Sequence, residues 1–400
     1  NKEKLPERKS AMNNKVYLIT CSSYKEIDKK VVDLLGMMGG IEEFVSPGEN
    51  LILKPNLLIG AEPEKAITTH PALVSVVGKL VREQKANPKL IDSSSGAFNH
   101  NERSLKRIYQ KCGMYQAAQE SGITLSYDPS YKAVSYPEGT LIKHFDILTP
   151  LLEADGIINL CKFKTHAFMA MTGAVKNMFG AIPGRKKPGF HGKLPDHEFF
   201  AQMLLDLVAC TAPRLSIMDA VVGMEGDGPG NGTPRHIGLL LASENPLALD
   251  MIAGEIMGLN PENNPILVEA KKLGMPPHRL EDIELIGGSK ENLRIPDFIL
   301  PATIVSDDGP RSSNSILRLF QPLLKKSFSL RPQVVKERCI ACEHCYEICP
   351  MQVISMQENG KKYAEIDDSD CIRCYCCHET CPQDAIELRK GLLYRILDLV

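Results

Sequence analysis

The chain has 400 residues, 43% of them hydrophobic and 24% charged, with a formal net charge of −2. That is enough apolar content for a sizeable core and enough length for two or three structural units. The near-balance of charge gives no general attraction to nucleic acid, and no stretch approaches the roughly 18 uninterrupted apolar residues of a membrane span.

Residues 1–14 are polar and basic with no apolar run behind them, so they are expected to be a disordered tail and not a secretory leader. From 15 to 290, short apolar runs alternate with helical patterns. "KVYLITC" and "ENLILKPNLL" read as strands, and "HPALVSVVGKLVREQ" as a helix with Thr69 at its N-cap and Pro71 in its first turn. "PKLIDSSSG" reads as a strand ending in a small-residue loop. "DGIINLCKFK" reads as a strand stopping at 162–164, with a helix over 172–182 after it. "RLSIMDAVVG" and "HIGLLLAS" complete the strands. This alternation predicts an α/β domain built on a mainly parallel, doubly wound sheet. Residues 291–335 have a linker composition, and 389–400 read as a C-terminal helix.

The thirteen cysteines are unevenly placed, with nine between 339 and 381. A secreted disulfide scaffold spreads its cysteines through a short chain; this clustering indicates metal ligation in a reducing compartment, the cytoplasm of an anaerobic cell. "CIACEHCYEICP" and "CIRCYCCHETCP" repeat at an offset of 32 residues. Both fit C-x2-C-x2-C-x3-C-P, in which the fourth cysteine serves the other cluster. Cys339, Cys342, Cys345 and Cys381 are therefore predicted to hold one [4Fe–4S] cluster, and Cys371, Cys374, Cys377 and Cys349 the other, with Cys376 a non-ligand. Residues 336–388 closely resemble the bacterial two-cluster ferredoxins, an α+β fold. This module has eleven acidic and five basic side chains.

Parallel α/β sheets bind ligands beyond the carboxyl ends of their strands. The polar residues at those ends are Lys54 and Asn56, Thr69 and His70, Asp92 with Ser93 to Ser95, Lys164 and His166, Thr172, Lys176 and Asn177, Arg185 and His191, then Asp219 and Glu225 before "GDGPGNG". The balance is cationic and suits a phosphate or carboxylate. The helix opened by "TGAVKN" is expected to add its N-terminal N–H groups to anion binding, and "GDGPGNG" to form a flexible loop over the cleft. Lys164, His166 and Lys176 are predicted to converge on one anionic ligand. Lys54, Asn56, Asp92, Asn177 and His191 are expected around it.

The order KPN, THP, Asp-Ser at a strand end, K-x-K-T-H, T-G-A-V-K-N-x-F-G and E-G-D-G-P resembles the DUF362-type Fe–S centre proteins over roughly residues 50–290. The resemblance implies a shared site without supplying a reaction. A second resemblance is to the nickel-pincer lactate racemases, in which a lysine carries the cofactor and a later histidine helps to hold nickel. His166, Gly173, Lys176 and His191 follow a similar order, although Thr-Gly-Ala-Val replaces a more glycine-rich turn.

Three readings follow. The first is an oxidoreductase that passes electrons from two [4Fe–4S] clusters, fed by a redox partner protein, to a small anionic substrate or a flavin. The second is a non-enzymatic electron-transfer or assembly subunit. The third is a racemase-like metal-dependent enzyme.

Overall fold

A computed structural model describes residues 13–96, 101–306 and 329–390. The expected tail and C-terminal helix lie almost wholly outside the described residues.

The α/β part runs β1 (Lys15–Thr20), α1 (Ile27–Gly36), β2 (Asn50–Lys54), α2 (Pro71–Glu83), β3 (Asn87–Leu90), α3 (Glu102–Lys111), α4 (Met114–Ser121), β4 (Thr124–Leu125), β5 (Tyr131–Ser135), β6 (His144–Leu148), α5 (Thr149–Leu152) and β7 (Gly156–His166). It continues with β8 (Ala170–Met171), α6 (Gly173–Asn177), α7 (Lys187–Lys193), α8 (His197–Thr211), β9 (Leu215–Glu225), β10 (Thr233–Ser243), α9 (Pro246–Met257), α10 (Pro265–Lys272), β11 (Glu284–Ile286) and α11 (Ala302–Ser306). The sheet order is β11-β1-β10-β9-β7-β2-β3-β4. It is mostly parallel; β10 runs antiparallel to both β1 and β9. Because β2, β3, β7 and β9 run in one direction, their carboxyl ends open on a common edge.

β7 sits at the centre, and all eleven of its residues are buried. Its alternation splits the core. Ile157, Cys161 and Phe163 pack with α8 and α9 on one face, and Ile158 and Leu160 with α1 and α2 on the other. α9 begins where the Asn245 side chain accepts the Leu247 N–H (3.0 Å), has Pro246 at its first position, and ends at Gly258 in the left-handed conformation.

The C-terminal module runs β12 (Arg331–Val334), α12 (His344–Ile348), β13 (Ile354–Asn359), β14 (Lys361–Ile366), α13 (Cys376–Glu379) and β15 (Ile386–Arg389). β12 pairs with β15, and β13 with β14, both antiparallel. The end of the segment expected as linker is thus a strand of the module. The 32-residue repeat is also a backbone repeat. Non-glycine residues take positive φ at Ala341 and Arg373, at Glu343 and Tyr375, and at Gln352 and Asp384. Such residues wrap a chain tightly and turn its N–H groups inward.

Local expectations needed correction. β7 does not stop at 162–164 but runs to His166, because Thr165 and His166 pair with the short β8; His166 is a strand residue, not a loop residue. The helix expected over 172–182 is α6 alone, followed by a 3-10 turn at Met178–Ala181. The N-cap of α2 is His70, whose ring accepts the Ala72 N–H (3.2 Å). Thr69 instead accepts the Asn56 N–H (2.9 Å) and donates to the Leu160 carbonyl (2.7 Å).

Candidate functional site

A cavity of about 630 Å³, its open mouth included, lies at the carboxyl edge. Asn56, Asp92, Ser93, Lys164, His166, Thr172, Lys176, Asn177, Lys187 and His191 line it from the α/β domain. Ile348, Cys376 and Glu379 close it from the module.

Three lysines of the sheet are fully buried, and they are not equivalent. Lys54 pairs with Asp92 (2.8 Å). Lys162 pairs with Asp219 (2.7 Å), with the Tyr24 hydroxyl donating to the same carboxylate (2.9 Å). Among the described residues Lys164 has no carboxylate partner, and it donates to the Ile67 (2.7 Å) and Pro229 (3.3 Å) carbonyls. Burial, reinforced by the neighbouring Lys176 cation, pushes its ammonium down to about 7. Lys187 reaches the Ser94 carbonyl (3.1 Å), and burial lowers it also to about 7. Lys176 is half-buried with its pKa lowered by burial, and its head group has no protein hydrogen-bond partner among the described residues; it lies 5.7 Å from the Phe179 ring.

His166 Nδ1 accepts the Phe168 (3.0 Å) and Met169 (3.3 Å) N–H groups, which puts its proton on Nε2. Nε2 lies 3.2 Å from Glu379 Oε1, out of hydrogen-bond alignment. Burial holds the ring well below its ordinary pKa, and burial raises that of Glu379. His191 stacks on Phe200 at 4.4 Å, and burial lowers its pKa to about 3. An amide chain fixes the opposite wall. Asn56 Nδ2 donates to Asn177 Oδ1 (2.8 Å), and Asn177 Nδ2 to Asn159 Oδ1 (2.7 Å). Asn56 Oδ1, Ser93 Oγ, Thr172 Oγ1 and His191 Nδ1 are buried around the cavity without a hydrogen-bond partner among the described residues. Such atoms are costly unless something polar meets them.

The structure brings Lys164, His166, Lys176, Asn56, Asn177, Asp92 and His191 to this one cavity. Lys54 stands behind it, committed to Asp92. Arg185 is exposed, Asp219 serves Lys162, and Glu225 accepts the Ile299 N–H (3.1 Å). The first N–H groups of α6 face no ligand, because Asp250 occupies them, accepting from Ala174 (2.5 Å) and Val175 (3.0 Å). The glycine-rich loop is a fastening between domains. Asn231 donates to the His378 carbonyl (2.7 Å), and His378 Nε2 lies 3.0 Å from the Asp227 carbonyl.

Lys187, Ile348, Cys376 and Glu379 were not expected in the site. Lys187 had a weak signal in the basic "GRKKPG" run. Glu379 had none. The first repeat carries Glu347 at the same position, and Glu347 is exposed.

In the module, Cys339, Cys342, Cys345 and Cys381 surround one void, and Cys349, Cys371, Cys374 and Cys377 surround a second. Among the described residues, no three His, Cys, Asp or Glu side chains gather around a single-ion position. The two rings of four thiols, wrapped by left-handed turns, fit the donor set of a cubane cluster.

The fold and these rings define an α/β cleft protein with an attached iron–sulfur module. Residues 338–385 match the 4Fe–4S dicluster domain, so the chain carries an iron–sulfur centre. Residues 51–255 match the domain of unknown function DUF362, and the chain belongs to that family. It is 34% identical to a thylakoid-associated protein of Synechocystis sp. over 276 residues, 67% of this chain and 83% of that protein. It is also similar to the lactate racemase apoprotein of Thermoanaerobacterium thermosaccharolyticum, with a TM-score of 0.39 and 10% identity over 60% of this chain and 56% of that one. The chain spans little more than half of that structure, a likeness too distant to assign chemistry. No helix among the described residues is long and apolar enough to cross a membrane.

Proposed function

We propose that this protein is an oxidoreductase that passes electrons from two [4Fe–4S] clusters to a small anionic substrate, or to a flavin, in the cleft. The observation that carries this reading is a shared wall. Cys376 lines both the cleft and the ring of Cys349, Cys371, Cys374 and Cys377, and Ile348 packs against it. The clusters, bound by the two cysteine rings, supply electrons one at a time.

The chain's own residues do the rest. Lys176 and Lys187 meet the negative charge of the ligand, with Lys164 beside them. His166 presents Nε2–H as a donor. Asn56 and His191 offer acceptors that fix orientation, and Asn177 holds Asn56. Lys54 and Asp92 support the floor, where a Cβ at Gly180 would lie 1.8 Å from Asp92 Oδ1. The ring of Cys339, Cys342, Cys345 and Cys381, lined only by the module, is the entry point from a redox partner protein. None of the thirteen cysteines is in a disulfide, which suits the reducing cytoplasm.

The test is oxygen-free purification with iron, sulfide and flavin analysis, then mixing of dithionite-reduced protein, freed of excess dithionite, with small carboxylates and phosphate esters that carry a reducible carbonyl or alkene. Cluster bleaching should reverse with an accepted anion in the wild type and not in Lys176→Ala at equal iron content. Equal reoxidation of both proteins by every anion would leave a plain electron carrier.

A further inference from the structure

We propose that Lys164 is an imine-forming nucleophile and that the cleft takes a carbonyl compound bearing an acidic group, a 2-oxo acid being the simplest member. The inference rests on the anion-binding half of the proposed function and not on the electron path.

The first observation is the contrast among the buried lysines. Lys54 and Lys162 each meet a carboxylate within 2.8 Å and are structural cations. Lys164, equally buried, meets only two backbone carbonyls among the described residues. A neutral amine has two N–H bonds, and these carbonyls accept both. No donor meets its nitrogen among the described residues, so the lone pair is unclaimed. Burial beside the Lys176 cation favours the neutral form at ordinary pH.

The second observation is what surrounds it. Lys164 lines the cavity together with Lys176 and Lys187; Lys176 can hold a carboxylate or phosphate, joined by Lys187 once the bound anion favours its charged form, while the amine of Lys164 faces the carbonyl carbon. His166 Nε2 and Thr172 Oγ1 lack hydrogen-bond partners among the described residues and are available to the carbonyl oxygen. The step balances without a redox reagent. The nitrogen lone pair forms the C–N bond, the carbonyl oxygen leaves as water with both amine hydrogens, and C=N replaces C=O. Taking up one proton from solvent turns this imine into an iminium, which withdraws electrons from its neighbouring carbons and is itself a better electron acceptor than the parent carbonyl.

The test is reductive trapping on the holoprotein. Pyruvate, 2-oxoglutarate, pyridoxal phosphate and acetone are each incubated with the protein and cyanoborohydride, and the adducts are mapped by peptide mass. The expected result is an adduct on Lys164, formed faster as pH rises through about 7. The acidic carbonyls should react roughly ten- to a hundred-fold faster than acetone, the value of one charge-assisted contact. Lys164→Arg should lose the adduct while keeping its cluster absorbance, and Lys176→Met should slow it. The proposal is overturned if no acidic carbonyl marks Lys164, or if Lys176, Lys187 or surface lysines are marked ahead of it. Failure here leaves electron transfer into the cleft intact; failure of electron transfer leaves the adduct intact.

Discussion

Lys54 and Lys176 should respond in opposite ways to methionine, which keeps the length of the side chain and removes its charge. Lys54 is fully buried and 2.8 Å from Asp92, which accepts one further bond, from the Leu57 N–H at 2.9 Å. Lys54→Met strands that carboxylate in the interior, and breaking a buried pair from one side costs about 3–5 kcal/mol. Lys176 has no protein hydrogen-bond partner among the described residues. Lys176→Met removes a cation already penalised by desolvation, so the change should lie between zero and a gain of about 1 kcal/mol. Anaerobic urea unfolding followed by far-ultraviolet circular dichroism separates the two. With a slope of roughly 1–3 kcal/mol/M, Lys54→Met should lower the midpoint by about 1 M or more, while Lys176→Met leaves it in place. Isothermal titration with phosphate should show the reverse order, Lys176→Met losing roughly ten-fold or more in affinity. If Lys176→Met destabilises the fold as much as Lys54→Met, Lys176 is a structural lysine and the cleft assignment fails.

Gly173→Ala should cost at least about 1–2 kcal/mol from left-handed backbone alone. Gly173 has φ +57, and a Cβ there would lie 2.2 Å from Asp250 Oδ1; an unchanged melting temperature would refute this placement. His191 should impose an acid limit on stability. Its folded pKa is about 3 against an ordinary 6.5, so the unfolded chain binds the extra proton between those values and stability falls as pH drops from 6.5 toward 3. His191→Phe should flatten that limb in an acid unfolding series, and an unchanged slope would sink the argument. The wild type should contain about eight iron atoms per chain. Cys371→Ser should lose about half of them and Cys376→Ser none, and iron loss in Cys376→Ser alone would overturn the ligand assignment.

The α/β class, the mostly parallel sheet and the iron–sulfur module were legible in the sequence because each has a one-dimensional signature. Buried parallel strands such as Gly156–His166 are unbroken apolar runs, and cubane ligands recur at fixed spacing on a tight loop. The strand-end residues Asn56, Lys164, His166, Lys176 and Asn177 could be picked out for the same reason, since topology sends the ends of parallel strands to one edge. The sequence could not show which lysine is neutralised. Lys54, Lys162 and Lys164 occupy similar strand positions, and only the packing gives Asp92 to the first and Asp219 to the second. Nor could it show that the α6 N-terminus is taken by Asp250, 76 residues after Ala174. The repeat hides the last element completely. Glu347 and Glu379 hold the same place in two near-identical runs, yet only Glu379 of the two lines the cleft. Glu379 is therefore buried against His166 while Glu347 faces solvent. Docking depends on surfaces distant in sequence, the Asp227 and Asn231 contacts to His378 among them, and long-range complementarity of that kind leaves no local pattern to read.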